Sequence, residues 1–244
     1  MTPKVSIVTV TFNAADLLEN TLKSVQKQTF TDYEYVVVDG NSTDQTQTII
    51  QQYSQLITTF ISETDKGIYD AMNKGIALAK GQYLIFMNAG DVFANHHVLD
   101  EIFKQSDNQD FIYGNTLVIN PDGSTKSWHK TTPKSNQLTP FSFARGMVIC
   151  HQAMLVKRTI APNYNLEYKI AADIDWCTQV LKKAKNTYYY NQPMILFLWG
   201  GTSDKRRNQA LKERFFITLK HWGVLKTILA QFQIVTDVFK RLYK

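Results

Sequence analysis

Tyr35-Val36-Val37-Val38-Asp39-Gly40-Asn41-Ser42-Thr43-Asp44-Gln45-Thr46 reads as a buried strand, a polar turn and the start of a helix. Three consecutive valines place apolar, β-branched side chains on both faces of a strand, which suits a sheet covered on both sides. Asp39-Gly40 ends the run. Ser42-Thr43-Asp44-Gln45 is expected to form a capping box before a helix running to about Tyr53. A covered strand leading directly into a helix is the repeating unit of an α/β fold.

The same unit recurs on both sides of that stretch. Val5-Ser6-Ile7-Val8-Thr9-Val10-Thr11-Phe12 is a strand ending at Asn13, followed by a helix from about Ala15 to Gln28 with Leu17, Leu18, Thr21, Leu22 and Val25 on one stripe. A third strand fits Ile57 to Ser62. Gly67 to Lys80 repeats Ile68, Met72, Ile76 and Ala79 at a helical period. Tyr83-Leu84-Ile85-Phe86-Met87 is a fourth strand, ending at Asn88-Ala89-Gly90-Asp91. The expectation is an α/β domain with a mostly parallel sheet covered by helices.

Beyond residue 105 the pattern is less regular. Asp110 to Ile119 predicts strands around Gly114, Pro121-Asp122-Gly123-Ser124 a turn, and residues 129–144 a surface loop. Met147 to Val156 reads as a strand-like run containing His151-Gln152, Asp173 to Lys183 as a helix, and Tyr188 to Trp199 as extended chain before Gly200-Gly201.

Length and composition narrow the class. A chain of 244 residues, 44% hydrophobic and 20% charged, suits one folded α/β domain with at most a small appendage. Cys150 and Cys177 are too few for a disulfide framework and have no C-x-x-C partners, so both are expected in the core. Without a leader-like N-terminus or an apolar run of about 20 residues, the chain reads as cytoplasmic. The net charge of +6 is unevenly spread. Residues 1–200 carry 17 basic and 18 acidic side chains, whereas residues 201–244 carry 10 and 3. Such asymmetry points the tail at an anionic partner or a solvated helix face.

Polar residues gather where a parallel sheet binds ligands, beyond the carboxyl ends of its strands. They are Asn13, Asp39, Glu63, Asp65 and Asp91, one or two after each of the first four strands. Oxygen ligands of this kind suit Mg²⁺ or Mn²⁺ bound jointly with a substrate phosphate; alternatively each caps a helix or turn, the simpler reading for Asp44. Neither G-x-x-x-x-G-K-[ST] nor a G-x-G-x-x-G after the first strand occurs, which disfavours P-loop and dinucleotide sites.

Taken in order, these segments resemble the inverting glycosyltransferases of family 2, which have the nucleotide-sugar-binding GT-A fold. The resemblance covers about residues 3–205. It rests on Val5–Asn13, on Asp39-Gly40-Asn41-Ser42-Thr43-Asp44-Gln45-Thr46, and on Glu63-Thr64-Asp65-Lys66-Gly67-Ile68-Tyr69-Asp70-Ala71-Met72-Asn73-Lys74-Gly75. Asn88-Ala89-Gly90-Asp91, His151-Gln152 and Ala172-Asp173-Ile174-Asp175 complete it, the 63–75 stretch and the last two as in the branch that assembles bacterial polysaccharides. The resemblance implies that Asp173 is the general base. It also implies that Thr11, Asn13, Asp39, Asp65, Asn73 and Asn88 line the nucleotide-sugar site and that Asp91 ligates a divalent cation, Mn²⁺ or Mg²⁺. His151, Gln152 and Asp175 would contact acceptor or phosphate, with a core position the alternative for His151. The family's D-x-D-D segment is reduced to Asp91, with Asn88 and Gly90 in two acidic positions, and Met72 stands where many relatives carry Arg. Lys66, Arg206 and Arg207 are the substitutes in view for that phosphate contact.

The expected function is transfer of a sugar from a nucleotide-sugar, UDP-linked by the resemblance, to a hydroxyl of a surface-glycan or lipid-linked saccharide. The alternative is a non-catalytic relative that binds nucleotide sugars or acts as a scaffold. A nucleic-acid partner is disfavoured, since the body lacks a basic stripe interleaved with aromatics. The expected division is a catalytic domain over 1–205 and a basic amphipathic helical tail over 206–244. In the tail Val224, Leu225, Ile228, Leu229, Phe232, Val235, Val238, Phe239 and Leu242 repeat at helical steps between Trp222 and Tyr243. Its residues 220–244 would lie on an anionic membrane, placing the protein peripherally on the inner face of the cell membrane, or pack on the domain or a second subunit of a homo-oligomer.

Overall fold

The computed structural model describes residues 2–106, 108–119, 124–127, 132–198 and 206–242, without the side chains of Leu198, Val235 and residues 237–242. The elements run β1 (Val5–Thr11), α1 (Ala15–Gln26), β2 (Tyr33–Asp39), α2 (Thr46–Gln52), β3 (Thr59–Ser62), α3 (Ile68–Leu78) and β4 (Tyr83–Phe86). Then follow β5 (Val92–Phe93), α4 (Val98–Gln105), β6 (Phe111–Ile119), β7 (Thr125–Ser127), β8 (Met154–Lys157), α5 (Ala172–Lys183), β9 (Thr187–Leu198) and α6 (Arg207–Leu242).

One sheet holds all the strands, in the order β3-β2-β1-β4-β8-β6-β9-β5, with β7 on β6. Its first half, β3-β2-β1-β4, is wholly parallel. Beyond β4 the sheet is mixed: β8 is antiparallel to both β4 and β6, and β9 runs parallel to β6. The α/β expectation holds, with the parallel strands concentrated at the N-terminal end.

Alternate residues of the central strands feed two cores. Val8, Val10, Val36, Val38, Leu84 and Phe86 pack on one side of the sheet with α3 and α5. Val5, Ile7, Tyr35, Val37, Tyr83 and Ile85 pack on the other with α1 and α4. The runs that read as continuously apolar are therefore covered on both faces. In α1 the buried stripe is Leu18, Thr21, Leu22 and Val25, and Leu17 is 38% exposed. Gly75 lets α3 lie against β1, since a Cβ there would meet Val8 Cγ1 at 2.4 Å.

Several local expectations are corrected. Ser42 does not cap α2; its hydroxyl donates to Asp39, and Asp44 Oδ1 instead accepts the Thr46 N–H at 2.9 Å. Phe111–Ile119 is a single strand through Gly114, broken in register only after it. The strand expected from Met147 begins at Met154, because His151–Ala153 makes a 3-10 turn. The loop expected over 129–144 is built from 3-10 turns at Ser135–Gln137 and Pro140–Arg145, with Leu138, Phe143 and Ala144 buried. The turn at 121–123, residues 129–131 and the Trp199-Gly200-Gly201 segment lie outside the described residues. Cys150 and Cys177 are buried and unpaired, and burial pushes the Cys150 thiol up to about 12, so both are inert core residues.

Helix α6 bends at Gly223, whose φ of 75° and ψ of −179° leave the helical region. A residue with a Cβ is strained there, even though nothing lies within 4 Å of the position a Cβ would take. Among the described residues no helix is long and apolar enough to cross a membrane.

Candidate active site

The carboxyl ends of β1, β2 and β3 are in register, Thr11 opposite Asp39 and Asp39 opposite Ser62, so the loops after them share one edge. Two of those loops are laced together. Asn13, held at φ 46°, donates its N–H to Ser42 Oγ at 2.8 Å and accepts the Thr43 N–H on its side-chain oxygen at 2.9 Å. Ala14 N–H reaches Thr46 Oγ1 at 2.9 Å, and Ala15 N–H reaches Asp44 Oδ2 at 3.2 Å. Asparagine tolerates the left-handed conformation better than other side chains, which accounts for Asn13 and for Asn41 at φ 63°.

Asp39 is the hub of this lacing. It is completely buried, and its carboxylate accepts from the Ser42 N–H at 3.0 Å, the Ser62 hydroxyl at 2.6 Å, the Gln47 amide at 3.2 Å and the Ser42 hydroxyl. Asp39 fixes the shape of the rim from beneath. Next to it Thr11 is 6% exposed, and its hydroxyl has no hydrogen-bond partner among the described residues. A buried unpaired hydroxyl costs free energy, so a donor or acceptor brought there by a ligand would be favoured.

Two residues at this edge were not singled out from sequence. Phe12 stands 63% exposed at the end of β1, and a Cβ on Gly40 would lie 3.2 Å from its ring and 2.9 Å from Asp65 Oδ2. Glycine at 40 keeps this face of the ring accessible between β1 and the β3–α3 loop. The sequence signal was an aromatic set between two polar residues, Thr11 at the end of β1 and Asn13 in the loop after it. Lys74 is the second. Its ammonium contacts Asp65 at 2.5 Å, Glu63 at 2.9 Å and Asp70 at 3.9 Å, and it hydrogen-bonds the Thr64 carbonyl at 3.2 Å. Desolvation would lower the Lys74 pKa, but hydrogen bonds to Asp65 and Glu63 outweigh it and hold the lysine charged. Asp65 is thus already paired within the fold.

The loop after β4 carries the reduced acidic segment. Thr21 Oγ1 accepts the Gly90 N–H at 2.9 Å and lies 2.9 Å from the Asp91 carbonyl, which pins the loop to α1. Asp91 is 5% exposed, and Asn88 Oδ1 is buried with no partner among the described residues. No group of three His, Cys, Asp or Glu that could hold an ion occurs among the described residues. The fit to a divalent cation therefore rests on one carboxylate and one orphaned amide oxygen. It is adequate for an ion held largely by substrate phosphates.

Asp173 sits in the first turn of α5, partly exposed, and accepts the Ile174 N–H at 2.9 Å. The Tyr69 hydroxyl, from the first turn of α3, lies 3.4 Å from Asp173 Oδ1 and donates to the Ile170 carbonyl at 2.8 Å. Asp173 is thereby joined to the helix that follows Asp65. Burial pushes its carboxyl up to about 6, more than the Ile174 N–H and Tyr69 hydrogen bonds pull it down. Glu213 of α6 accepts the N–H groups of Lys169, Ile170 and Ala171 at 3.0, 2.8 and 2.9 Å, and its charge raises Asp173 further.

The remaining expected residues serve the interior. Asn73 spends both ends of its amide on the Tyr164 backbone, at 3.0 and 2.7 Å. His151 bonds the Tyr164 hydroxyl at 2.6 Å among Phe86, Tyr164 and Trp176, and burial lowers its pKa to about 4, so it is a neutral core histidine. Gln152 is 7% exposed and accepts from the Cys150 thiol at 3.0 Å. Asp175 is completely closed to solvent and spends its carboxylate on His221 and Gln179, each at 2.7 Å. Met72, at the position where relatives carry Arg, is 3% exposed in the core, whereas Lys66, Arg206 and Arg207 are exposed.

Comparison with known proteins matches residues 6–163 to the family described as glycosyl transferase family 2. A PGL/p-HBAD biosynthesis glycosyltransferase of Mycobacterium tuberculosis is 34% identical over 184 residues, 71% of this chain and 68% of that protein. The putative teichuronic acid biosynthesis glycosyltransferase TuaG of Bacillus subtilis is 25% identical over 88% of this chain and 87% of its own. Among solved structures, S. aureus TarS 1-349 in complex with UDP-GlcNAc superposes with a TM-score of 0.70 at 18% identity. That match covers 88% of this chain, which spans 66% of the TarS fragment. The mannosyltransferase PcManGT from Pyrobaculum calidifontis, in complex with GDP-Man and Mn²⁺, gives 0.66 at 16% identity over 96% of this chain and 70% of that one. At such identities the likeness to solved structures speaks for the fold.

Proposed function

Because the chain belongs to glycosyltransferase family 2, we propose that it moves a sugar from a UDP-linked donor to a hydroxyl of a saccharide or lipid-linked acceptor, with inversion at the anomeric carbon. The observation that carries the reading is Asp173: a partly exposed carboxylate in the first turn of α5 with a pKa raised to about 6. A general base works best when its pKa lies near the working pH, and desolvation is the usual means of raising a carboxylate to that range.

In the proposed step Asp173 takes the proton of the acceptor hydroxyl as its oxygen attacks the anomeric carbon. The new C–O bond forms on the face opposite the phosphate, and the bond to phosphate oxygen breaks with its electron pair leaving on the nucleoside diphosphate. Phe12 offers an aromatic face to the base, and Thr11 an unpaired hydroxyl beside it. Asn13, Asp39 and Asp65 hold the shape of the rim, and Asn73 ties α3 to the Tyr164 backbone behind it. A divalent cation, when bound, would neutralise charge on the departing diphosphate, and Asp91 and Asn88 are the residues to hold it.

The structurally similar proteins solved in complex with UDP-GlcNAc and with GDP-Man support a nucleotide-sugar donor. The relatives named for glycolipid and teichuronic acid biosynthesis support a glycan acceptor. The test is a panel of nucleotide-sugars screened by thermal shift with Mn²⁺, followed by donor hydrolysis in the parent and in Asp173→Asn. One UDP-sugar should raise the melting temperature of both proteins, and hydrolysis should fall by about 10²–10⁴ in the variant. Equal hydrolysis by the two would remove Asp173 from this role.

A further inference from the structure

Of the twelve large hydrophobic residues that stand exposed among the described ones, eight lie on α6. Leu211, Phe215 and Phe216 precede the bend at Gly223, and Val224, Leu225, Ile228, Leu229 and Phe232 follow it. The five after the bend are 58–79% exposed. They recur at alternating one- and three-residue steps on a single face, while Thr227 and Ala230 are buried on the opposite one. An ordinary soluble surface scatters such residues singly, and a contiguous row marks a contact surface.

The inward side of α6 is already occupied. Glu213 grips the backbone before α5, the buried Thr218 hydroxyl reaches the Ala144 carbonyl at 3.4 Å, and His221 meets Asp175. The apolar row is therefore a second, separate face. Its charged surroundings have one sign. Arg207, Lys212 and Lys226 are exposed along the helix, Lys220 is turned to Asp175 at 3.6 Å, and Glu213, the one acid among the described α6 side chains, is turned to the α5 loop. By sequence Lys240, Arg241 and Lys244 follow, against Asp237. Two copies meeting through this face would bring like charges together, at a cost in free energy.

We propose that the outer face of α6 docks on an anionic lipid surface, with Leu225, Ile228, Leu229 and Phe232 entering the headgroup–acyl boundary and the flanking lysines meeting lipid phosphate. A basic helix with an apolar face binds in this way, by area buried plus electrostatic attraction. The bend at Gly223 separates this segment from the one fastened on α5. Vesicle binding reads on neither donor nor transfer, so this inference stands or falls apart from the proposed reaction.

The experiment is flotation of the full chain with vesicles of phosphatidylcholine alone and with 30% phosphatidylglycerol (roughly the anionic range that attracts basic segments). Binding to the anionic vesicles, reduced at least tenfold in Leu225→Glu/Ile228→Glu, is the expected result. Lys226→Glu and raised salt should weaken it selectively for the anionic vesicles. A full chain that stays unbound at low salt would overturn the proposal, as would equal binding to neutral vesicles or equal binding by the double variant. So would a concentration-dependent dimer that the double substitution converts to monomer without any vesicle binding by the parent. Melting temperature checks that the variants fold, and Phe232→Ser replaces the double variant if that one does not.

Discussion

Asp175 Oδ1 and His221 Nε2 meet at 2.7 Å, joining α5 to α6 where the carboxylate is sealed from solvent. The Lys182 ammonium lies 2.9 Å from His221 Nδ1. An ammonium only donates, so Nδ1 accepts, and Nε2 carries the hydrogen given to Asp175. Burial would raise the Asp175 carboxyl, but the His221 hydrogen bond, Lys220 and Gln179 together hold it below its ordinary value. His221→Ala leaves this carboxylate closed off with one partner fewer. The expected loss is about 3 kcal/mol of unfolding free energy, measured by urea denaturation at pH 7. A depressed carboxylate contributes its stability above the ordinary 3.8 and loses it as pH falls through the lower folded value, so the deficit should shrink below pH 4.

Glu213 acts on Asp173 in two ways, through the backbone it grips at Lys169–Ala171 and through its charge. Glu213→Gln keeps an acceptor oxygen but removes the charge, so Asp173 should titrate lower. The acid limb of the pH profile of kcat/KM is expected to move to lower pH, while Glu213→Ala also lowers kcat. A profile that does not move in the Gln variant would mean the charge is not felt.

Asp173 itself costs stability. Its folded pKa of about 6 lies above the ordinary 3.8, so between those values the folded chain binds the proton more readily than the unfolded one. Stability is unaffected below 3.8, falls across the interval, and stays reduced above 6. Asp173→Asn should therefore melt higher than the parent at about pH 7 and alike at about pH 2.8, if melting is followed at both (each roughly one unit outside the interval). A variant that melts lower at the higher pH would contradict this account.

For the cation, Asp91→Ala should weaken binding of a nucleoside diphosphate more strongly in Mn²⁺ than in EDTA, read by isothermal titration. Equal losses in the two buffers would mean that Asp91 holds no metal. Asn88→Asp supplies a carboxylate where an amide oxygen is orphaned, and it should tighten Mn²⁺ binding.

Phe12→Ala tests the exposed ring at the end of β1. Stacking of a base on an aromatic side chain is worth about 1–3 kcal/mol, so UDP binding should weaken roughly tenfold or more. At 63% exposure the side chain supports little of the core, and the melting temperature should hardly change.

The parallel half of the sheet was legible because its strands are short, covered on both faces and separated by periodic helices. Val36–Val38 and Ile85–Phe86 could hardly lie anywhere but inside. The C-terminal half was less legible, since its pairings join distant segments. β5 is two residues long and exists only against β9, and His151–Ala153 cuts an apolar run that looked like strand. Among candidate site residues, Asp173 was picked out by the family resemblance of Ala172-Asp173-Ile174-Asp175, and no local pattern of the sequence by itself marks it as a base. The internal duties of Asn73 and Asp175 were not legible, because they are set by partners 91 and 46 residues away, whereas a core position for His151 was one of the two readings its apolar surroundings allowed. Glu213 gave no signal at all: on a helix that reads as a basic tail, one acid looks like a solvated charge.

The strand order carries a consequence for the order of synthesis. When β1 to β4 have left the ribosome they can pair among themselves, yet β4 then presents an open edge, because its other neighbour β8 comes some seventy residues later. β9 must in turn slide between β6 and β5 after both have been made. Unpaired edges of apolar strands recruit other chains. A nascent chain halted near residue 105 would thus keep the β4 edge open to other chains, and the sheet is not complete until the residues of β9, from Thr187 on, have been made.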